Sequence, residues 1–153
     1  MVQLECIQLS HPNFSQTYRL VRNALAGVTV THEGGGGPFL YSFMPMTIRV
    51  LGASTDMDQS IEVTFGDVGQ VISAEIENVA NANGFQTKPL IQYRSYRSDD
   101  LTHVLFGPAT LEIDTVSLTR EGASFKAKAP NFNLVRTGEI YSVSRFPMLA
   151  PLA

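Results

Sequence analysis

The four consecutive glycines Gly34, Gly35, Gly36 and Gly37, in the segment THEGGGGPFLYSF, are the first feature of the sequence that suggests chemistry. A glycine-rich loop binds phosphate through its backbone amides when a lysine, a hydroxyl residue and a helix follow it. Here Pro38 follows, and the residues after it alternate like a strand. The glycine run therefore predicts the tip of a β-hairpin between GVTVTHE and PFLYSFMPM, and it does not predict a phosphate site.

Metal-ligand patterns are also missing from the sequence. The three histidines, His11, His32 and His103, lie far apart, and none stands beside another strong ligand in a recognisable pattern. Cys6 is the only cysteine, so no internal disulfide is possible and the thiol is expected to pack as a small apolar group. We expect neither a metal nor a cofactor.

Catalytic groups are not paired in the sequence either. No serine occupies a Gly-x-Ser-x-Gly elbow. Glu75 and Glu77 lie two positions apart on a predicted helix, so they point to different faces and do not form an acid–base pair. We therefore expect a protein that is not an enzyme. A hydrolase would need a cluster in space around His103 or His11.

The segment YRSYR interleaves tyrosines with arginines, which stack on sugars or bases and are enriched at protein interfaces. On a strand, Arg94 and Tyr96 share one face, while Tyr93 and Arg97 share the other. We favour a protein interface. The alternative is a recognition platform of Tyr93, Tyr96 and Arg94 in a soluble ligand- or carbohydrate-binding β module.

The composition favours a protein that buries surface against other subunits. Of the 153 residues, 44 % are hydrophobic and 16 % are charged, against about 25 % charged in an average soluble domain. The net charge of −3 gives no basic footprint for nucleic acid. No apolar run approaches the roughly 18 residues of a membrane span. We expect no specific nucleic-acid binding, no membrane insertion and synthesis in a cytoplasm.

Alternation of apolar and polar residues predicts strands along most of the chain. The predicted strand segments are VQLECIQLS, TYRLVRNA, GVTVTHE, PFLYSFMPMTIRVL, SIEVTFG, KPLIQYRSYR, THVLFG, ATLEIDTVSLTR, ASFKAKA and EIYSV. Pro45 cannot donate to a ladder and indicates an edge or a bulge. TREGAS predicts a short hairpin turn in which Gly122 takes positive φ.

One segment, DVGQVISAEIENVANANG, has the period of an amphipathic helix. Asp67 and Gln70 resemble a capping box at its start, and Asn83 followed by Gly84 predicts a left-handed end. The predicted buried stripe consists of Val68, Val71, Ile72, Ile76, Val79 and Ala80. The fold class expected from these elements is α+β and mostly β, with the helix covering one face of a curved sheet or barrel.

The order of the motifs SHP, YRLVR, MPMTIRVL, IEVTFGDVGQVISAEIENV and RFPML resembles a family of phage tail proteins. Members are short and similar to the amino-terminal part of minor tail protein L of lambda-like phages. In that family the closing motif runs Phe-Pro-Gly, whereas here Met148 follows Pro147. The lambda protein also has a cysteine-rich region that holds an iron–sulfur cluster. One cysteine cannot supply the ligands of such a cluster.

The resemblance implies a tail-tube-like β-sandwich or barrel over residues 1–145, followed by an extended docking tail over residues 146–153. It implies a structural subunit of the virion, made in the host cytoplasm, that forms a three- or six-fold ring of its own copies at the distal tail. The neighbouring tail tube and tip or hub proteins would be its partners. We expect assembly contacts at the glycine run and at Phe146, Pro147, Met148 and Leu149, although these last four residues are equally consistent with closing the domain's own core.

Overall fold

A computed structural model describes residues 2–51, 60–66, 70–120 and 122–129 of the chain, and these residues form nine strands and one α-helix. The strands are β1 (Gln3–Ser10), β2 (Tyr18–Val21), β3 (Val28–Val30), β4 (Phe39–Phe43), β5 (Met46–Leu51), β6 (Ser60–Phe65), β7 (Leu90–Arg97), β8 (Phe106–Thr119) and β9 (Gly122–Lys128). The helix is α1 (Gln70–Asn83), and a 3₁₀ turn spans Glu33–Gly35.

The nine strands form one open sheet in the order β3-β4-β2-β1-β7-β8-β9-β6-β5. The β2–β4 pair is parallel, and the other pairs are antiparallel. The predicted class, α+β and mostly β with one packed helix, is confirmed. Within that class, the described strands form a single mixed sheet with β3 and β5 at its two ends.

Both faces of the sheet carry a hydrophobic core, because successive residues of a strand point to opposite faces. On β1, Ile7 and Leu9 belong to the larger core, against which Ile72 and Ile76 of the helix pack. Leu4 and Cys6 belong to a second core on the opposite face. We call these two faces the helix face and the hairpin face. Cys6 is fully buried in the second core, as expected of a small apolar residue.

Among the described residues the helix spans Gln70–Asn83, and its buried stripe is narrower than predicted. Ile72, Ile76 and Val79 are buried as predicted. Val71 is 54 % exposed and Ala80 is exposed, so their predicted place in the stripe is wrong. Glu75 lies in the buried stripe instead, because positions 72, 75, 76 and 79 share one face of the helix. The predicted left-handed end is confirmed by Gly84, which has a φ of 59° and donates its amide to the Ala80 carbonyl at 3.1 Å.

Two predicted strand segments differ in the structure. PFLYSFMPMTIRVL forms β4 and β5, which are separated by Met44 and Pro45. THVLFG does not begin a strand at Thr102, since β8 starts only at Phe106. The reason is local: the Asp100 side chain accepts hydrogen bonds from the amides of Thr102 and His103, at 3.0 and 3.3 Å, and this turn competes with the strand ladder.

The predicted turn between β8 and β9 is confirmed, with Thr119 paired to Gly122. Gly122 has a φ of 152°, and a Cβ at this position would overlap the carbonyl oxygen of Phe65. The residues Asp67 and Val68, the segment EIYSV, Phe146, Pro147, Met148, Leu149 and the boundary at residue 145 lie outside the described residues.

Candidate functional site: the glycine hairpin

The glycine run forms the predicted hairpin tip. β3 and β4 pair in antiparallel register, with Val28 opposite Tyr41 and Val30 opposite Phe39. Between them, the amide of Gly35 donates to the His32 carbonyl at 3.2 Å, and the amide of His32 donates to the Gly36 carbonyl at 2.7 Å. We call residues 28–43 the glycine hairpin. All four glycines of the run are exposed.

An ion pair anchors the base of the glycine run to the centre of the sheet. Arg94 of β7 is 2 % exposed. Its guanidinium donates to both carboxylate oxygens of Glu33, from Nε at 2.9 Å and from Nη2 at 2.7 Å. This hydrogen bonding lowers the pKa of Glu33 to about 2. Glu33 immediately precedes Gly34, so the ion pair holds the start of the run against the hairpin face.

A second set of contacts fixes the strand ends of the hairpin. His32 Nε2 and the Tyr41 hydroxyl form a hydrogen bond at 2.8 Å. The Tyr96 hydroxyl donates to the carbonyl of Thr31 at 3.0 Å. Burial, followed by the nearby charge of Arg94, lowers the pKa of His32. The imidazole is therefore neutral at pH 7, which suits its place beside a buried guanidinium.

Two large apolar side chains are exposed on and beside the hairpin. Leu40 of β4 is 65 % exposed and Leu25, just before β3, is 83 % exposed. The guanidinium of Arg19 lies 4.4 Å from the centroid of the Phe39 ring, and the rings of His32 and Phe39 are 4.3 Å apart. The hairpin thus combines a fixed base with an exposed tip that has no side chains and with apolar side chains beside it.

The predicted protein interface at YRSYR is wrong for Tyr93, Tyr96 and Arg94, and so is the alternative recognition platform of these three residues. These side chains are 7 %, 0 % and 2 % exposed. The two halves of the segment pack into different cores, because Tyr93 lies on the helix face and Tyr96 on the hairpin face. Buried rings cannot stack on a sugar, so these residues position the glycine hairpin and the sheet instead.

The role of Glu33 was not predicted from the sequence. Its carboxylate stands directly before the run, and its partner Arg94 lies 61 residues further along the chain. A pair of opposite charges this far apart in the sequence can be recognised only once the strand order is known. The only sequence signal is the arginine between two tyrosines on a predicted strand, since a buried arginine needs an acidic partner.

A cluster around His103 exists, but its geometry does not fit a hydrolase. The Asp100 carboxylate lies 2.9 Å from His103 Nδ1, and the Thr102 hydroxyl lies 3.0 Å from the same nitrogen. A catalytic triad needs the acid and the nucleophile on different ring nitrogens. The His103 side chain is also 83 % exposed. The cluster is an exposed turn that follows β7.

His11 also makes structural contacts, which hold two segments of backbone together. Its Nδ1 accepts the amide of Asn13 at 3.0 Å, so its Nε2 donates to the carbonyl of Thr87 at 2.8 Å. Both ring nitrogens are therefore engaged with backbone groups. This histidine joins the turn after β1 to the segment that leads into β7.

Close to His11, Glu75 of the helix binds the same turn. Its carboxylate accepts hydrogen bonds from the hydroxyl of Ser15, from the Ser15 amide at 3.1 Å and from the Tyr18 hydroxyl at 2.6 Å. The Ser15 and Tyr18 hydrogen bonds lower the pKa of Glu75. Glu77 is exposed, so the two glutamates lie on different faces of the helix, as predicted.

A groove of about 600 Å³ lies at the other end of the sheet, where β5 begins, β6 ends, β8 ends and β9 begins. Its polar lining is made largely of hydroxyl side chains, with Arg22 at the rim. The hydroxyl residues are Thr47, Thr64, Ser117, Thr119 and Ser124. Four of them pair across adjacent strands, Thr47 with Thr64, Thr64 with Ser124 and Ser124 with Ser117. We call these four residues the hydroxyl row.

The mostly β fold, with one packed helix and an anchored glycine hairpin, defines the class of protein as a sheet domain. The chain belongs to the DUF1833 family, described as a domain of unknown function, whose model matches residues 1–133. No curated protein matches the chain. In the part of the chain that the structure describes, no helix has the length and hydropathy to span a membrane.

Proposed function

We propose that the protein is a structural subunit of a bacteriophage tail that assembles into a ring at the distal tail, between the tail tube and the hub. Two independent features support the proposal. The first is the motif order described above, from SHP to RFPML. The second is the glycine hairpin, and its exposed, anchored tip is the single structural observation that carries the proposal.

The hairpin suits a contact between subunits for a physical reason. Glycine has no side chain, so another backbone can approach closely, but ordering four glycines has a large entropic cost. Anchoring Glu33 to Arg94 reduces the part of the loop that remains to be ordered. Exposed Leu40 and Leu25 add apolar surface that a neighbouring subunit can bury.

The open sheet also suits repeated head-to-tail contacts. β3 and β5 are its two ends, and among the described strands neither has a partner on its outer side. Unpaired edges are aggregation-prone unless they are covered. Contacts between two different surfaces close into a ring when the rotation fits. Phe146, Pro147, Met148 and Leu149 are proposed to dock on the neighbouring ring or hub.

The proposal is tested first in virions. Particles from a host that carries this gene are purified and analysed by mass spectrometry, and antibody-labelled particles are imaged. The expected result is the protein in the particles, with label at the distal end of the tail. Particles that are complete without the protein would reject the proposed role.

The hairpin contact is tested with Leu40→Glu, because Leu40 is exposed and its replacement leaves the core intact. A charge at this position should abolish ring formation without unfolding the subunit. Val71→Glu is the matched control, since Val71 is 54 % exposed on the helix, away from the hairpin. If Leu40→Glu rings form as readily as the Val71→Glu rings, the hairpin is not the contact.

The groove favours a second candidate function, a soluble ligand- or carbohydrate-binding module. Its volume of about 600 Å³ lies within the range of small-molecule sites. Hydroxyl side chains both donate to and accept from the hydroxyl groups of a neutral saccharide. Saturation-transfer NMR with a saccharide panel tests this function. A stable monomer whose binding is lost in Thr64→Val would replace the assembly proposal, and an absence of any binding would remove this candidate.

A further inference from the structure

A row of polar side chains crosses the hairpin face beside the glycine hairpin. Gln8 of β1 lies opposite Arg19 of β2 on one side and opposite Gln92 of β7 on the other. Arg94, two residues along β7 from Gln92, points to the same face and donates from Nη2 to Gln92 Oε1 at 3.3 Å. We call Arg19, Gln8, Gln92 and Arg94 the arginine row. It brings two guanidinium groups to one stretch of the sheet.

The glycine hairpin lies against both arginines. Arg94 donates to both carboxylate oxygens of Glu33, and the guanidinium of Arg19 lies 4.4 Å from the centroid of the Phe39 ring. Burial lowers the pKa of His32, and the charges of Arg94 and Arg19 lower it further. Two positive charges therefore act on one small region. In the described part of the chain, Glu33 is the only carboxylate that pairs with either of them, so one positive charge is left in excess.

The arginine row also holds hydrogen-bonding atoms that are buried and unpaired. Within the described residues, neither Nη1 of Arg94 nor Nε of Arg19 has a hydrogen-bond partner, and neither does Oε1 of Gln8. Gln8 and Arg19 lie directly opposite each other, yet they do not satisfy each other. Buried polar atoms are nearly always paired, and leaving a charged donor unpaired is costly. The row therefore has donors available for an acceptor that comes from outside.

The burial of the row suits the binding of a small anion. Arg94 is 2 % exposed, whereas Arg19, Gln8 and Gln92 are half-buried. The row thus has a side that solvent reaches and a charged group at its base. A guanidinium forms its strongest hydrogen bonds with carboxylate oxygens, and these bonds are stronger where water is partly excluded. One carboxylate would also balance the excess positive charge.

We propose that the arginine row binds one carboxylate group in addition to Glu33, with Arg94 Nη1 and Arg19 Nε as the donors. When its amide turns over, Gln8 adds its NH₂ group as a further donor. A free carboxylate anion and an acidic side chain of a second copy share this chemistry, and the experiment separates the two sources. The inference goes beyond the proposed function and does not depend on it.

NMR of the arginine Nε–H groups in the ¹⁵N-labelled full chain tests the site. Sodium acetate is titrated into dilute protein against sodium chloride, at constant ionic strength. Arg19→Gln removes one proposed donor. Arg49→Gln is the matched control, because Arg49 is an exposed arginine of β5 and its loss changes the net charge equally. Far-UV circular dichroism in chloride checks that each variant is folded, and Gln8→Leu replaces Arg19→Gln if that variant is not.

The expected result is a saturable shift of the Arg19 and Arg94 signals with acetate, while the signal of Arg97, which bonds Asp99, stays in place. Loss of the Arg19 donor should weaken acetate binding about tenfold or more, and the control variant should bind like the natural chain.

A second titration, in chloride alone, raises the protein concentration. If the Arg19 signal shifts together with the solution mass, and acetate reverses the shift, an acidic side chain of another copy is the ligand. A shift with acetate in dilute protein alone identifies a free carboxylate. If neither acetate nor protein concentration moves the signal, or if Arg19→Gln binds acetate as well as Arg49→Gln does, the proposal is overturned.

Discussion

At the scale of single residues, the glycine hairpin depends on one ion pair between distant parts of the chain. Arg94 is almost completely buried, its Nε and Nη2 each donate to a carboxylate oxygen of Glu33, and Nη2 also donates to Gln92 Oε1 at 3.3 Å. The remaining nitrogen, Nη1, has no hydrogen-bond partner among the described residues. A buried charge that loses its partner is strongly destabilised. The position of the exposed loop is therefore set by the core of the hairpin face.

Glu33→Gln should lower the free energy of unfolding by about 1–2 kcal/mol, a value reduced for the partial exposure of Glu33. The substitution keeps the shape of the side chain but removes the charge that balances Arg94. Asp99→Asn is the control, because the Arg97–Asp99 pair is exposed on both sides, and it should cost less than about 0.5 kcal/mol. Urea unfolding at pH 7 measures both. Equal losses would mean that the buried pair adds nothing to stability.

The lowered pKa of Glu33 predicts that the free energy of unfolding depends on pH. Its pKa in the folded protein, about 2, lies below the ordinary value of 4.5. A depressed pKa gives stability that is fully present above the unfolded value and is lost as pH falls through the folded value. The difference in unfolding free energy between the natural chain and Glu33→Gln should therefore be constant from pH 7 to about pH 5 and shrink towards pH 2. A difference that stays constant from pH 7 to pH 2 would contradict the lowered pKa of Glu33.

At the scale of elements, the sequence predicted what depends on neighbouring residues and missed what depends on contacts across the fold. The helix, the glycine hairpin and the turn at Gly122 follow from local periodicity and backbone conformation. Strand order does not follow from local sequence. The burial of Tyr93, Arg94 and Tyr96 in two different cores was therefore not predicted. The strand expected at THVLFG failed because the side chain of Asp100 captures two amides.

The buried carboxylate in the helix gives a further prediction at this scale. Glu75→Ala should lower the free energy of unfolding by about 1–3 kcal/mol, because Ser15 and Tyr18 lose their common acceptor and the turn after β1 loses its link to the helix. Glu77→Ala, two residues away on the exposed face of the helix, should change it by less than about 0.5 kcal/mol. Thermal and urea unfolding compare the two. Similar values would show that Glu75 does not join the turn to the helix.

At the scale of the whole molecule, the sheet curls, because only Met44 and Pro45 separate β4, near one end of the strand order, from β5 at the other end. The molecule presents two different surfaces, the glycine hairpin with Leu40 and Leu25 exposed and the groove beside β5. Two different surfaces on one subunit allow heterologous contacts, in which one surface of a subunit meets the other surface of the next. This arrangement is the physical basis of the proposed ring.

Removal of residues 146–153 separates docking from folding. If Phe146, Pro147, Met148 and Leu149 dock on a neighbouring ring or hub, the shortened chain should keep the circular dichroism spectrum and melting temperature of the full chain and fail to join tails. The measurement is incorporation into particles when the shortened chain replaces the full one. An unfolded product would show instead that these residues close the domain's own core.

The central claim is that this chain is an assembling structural subunit, and the solution mass of the purified full chain tests it most directly. Size-exclusion chromatography with light scattering gives the mass, and negative-stain images of the same fraction give the shape. The account predicts closed rings with three or six copies of the chain. A stable monomer across the micromolar range, with no rings in the images, would contradict it.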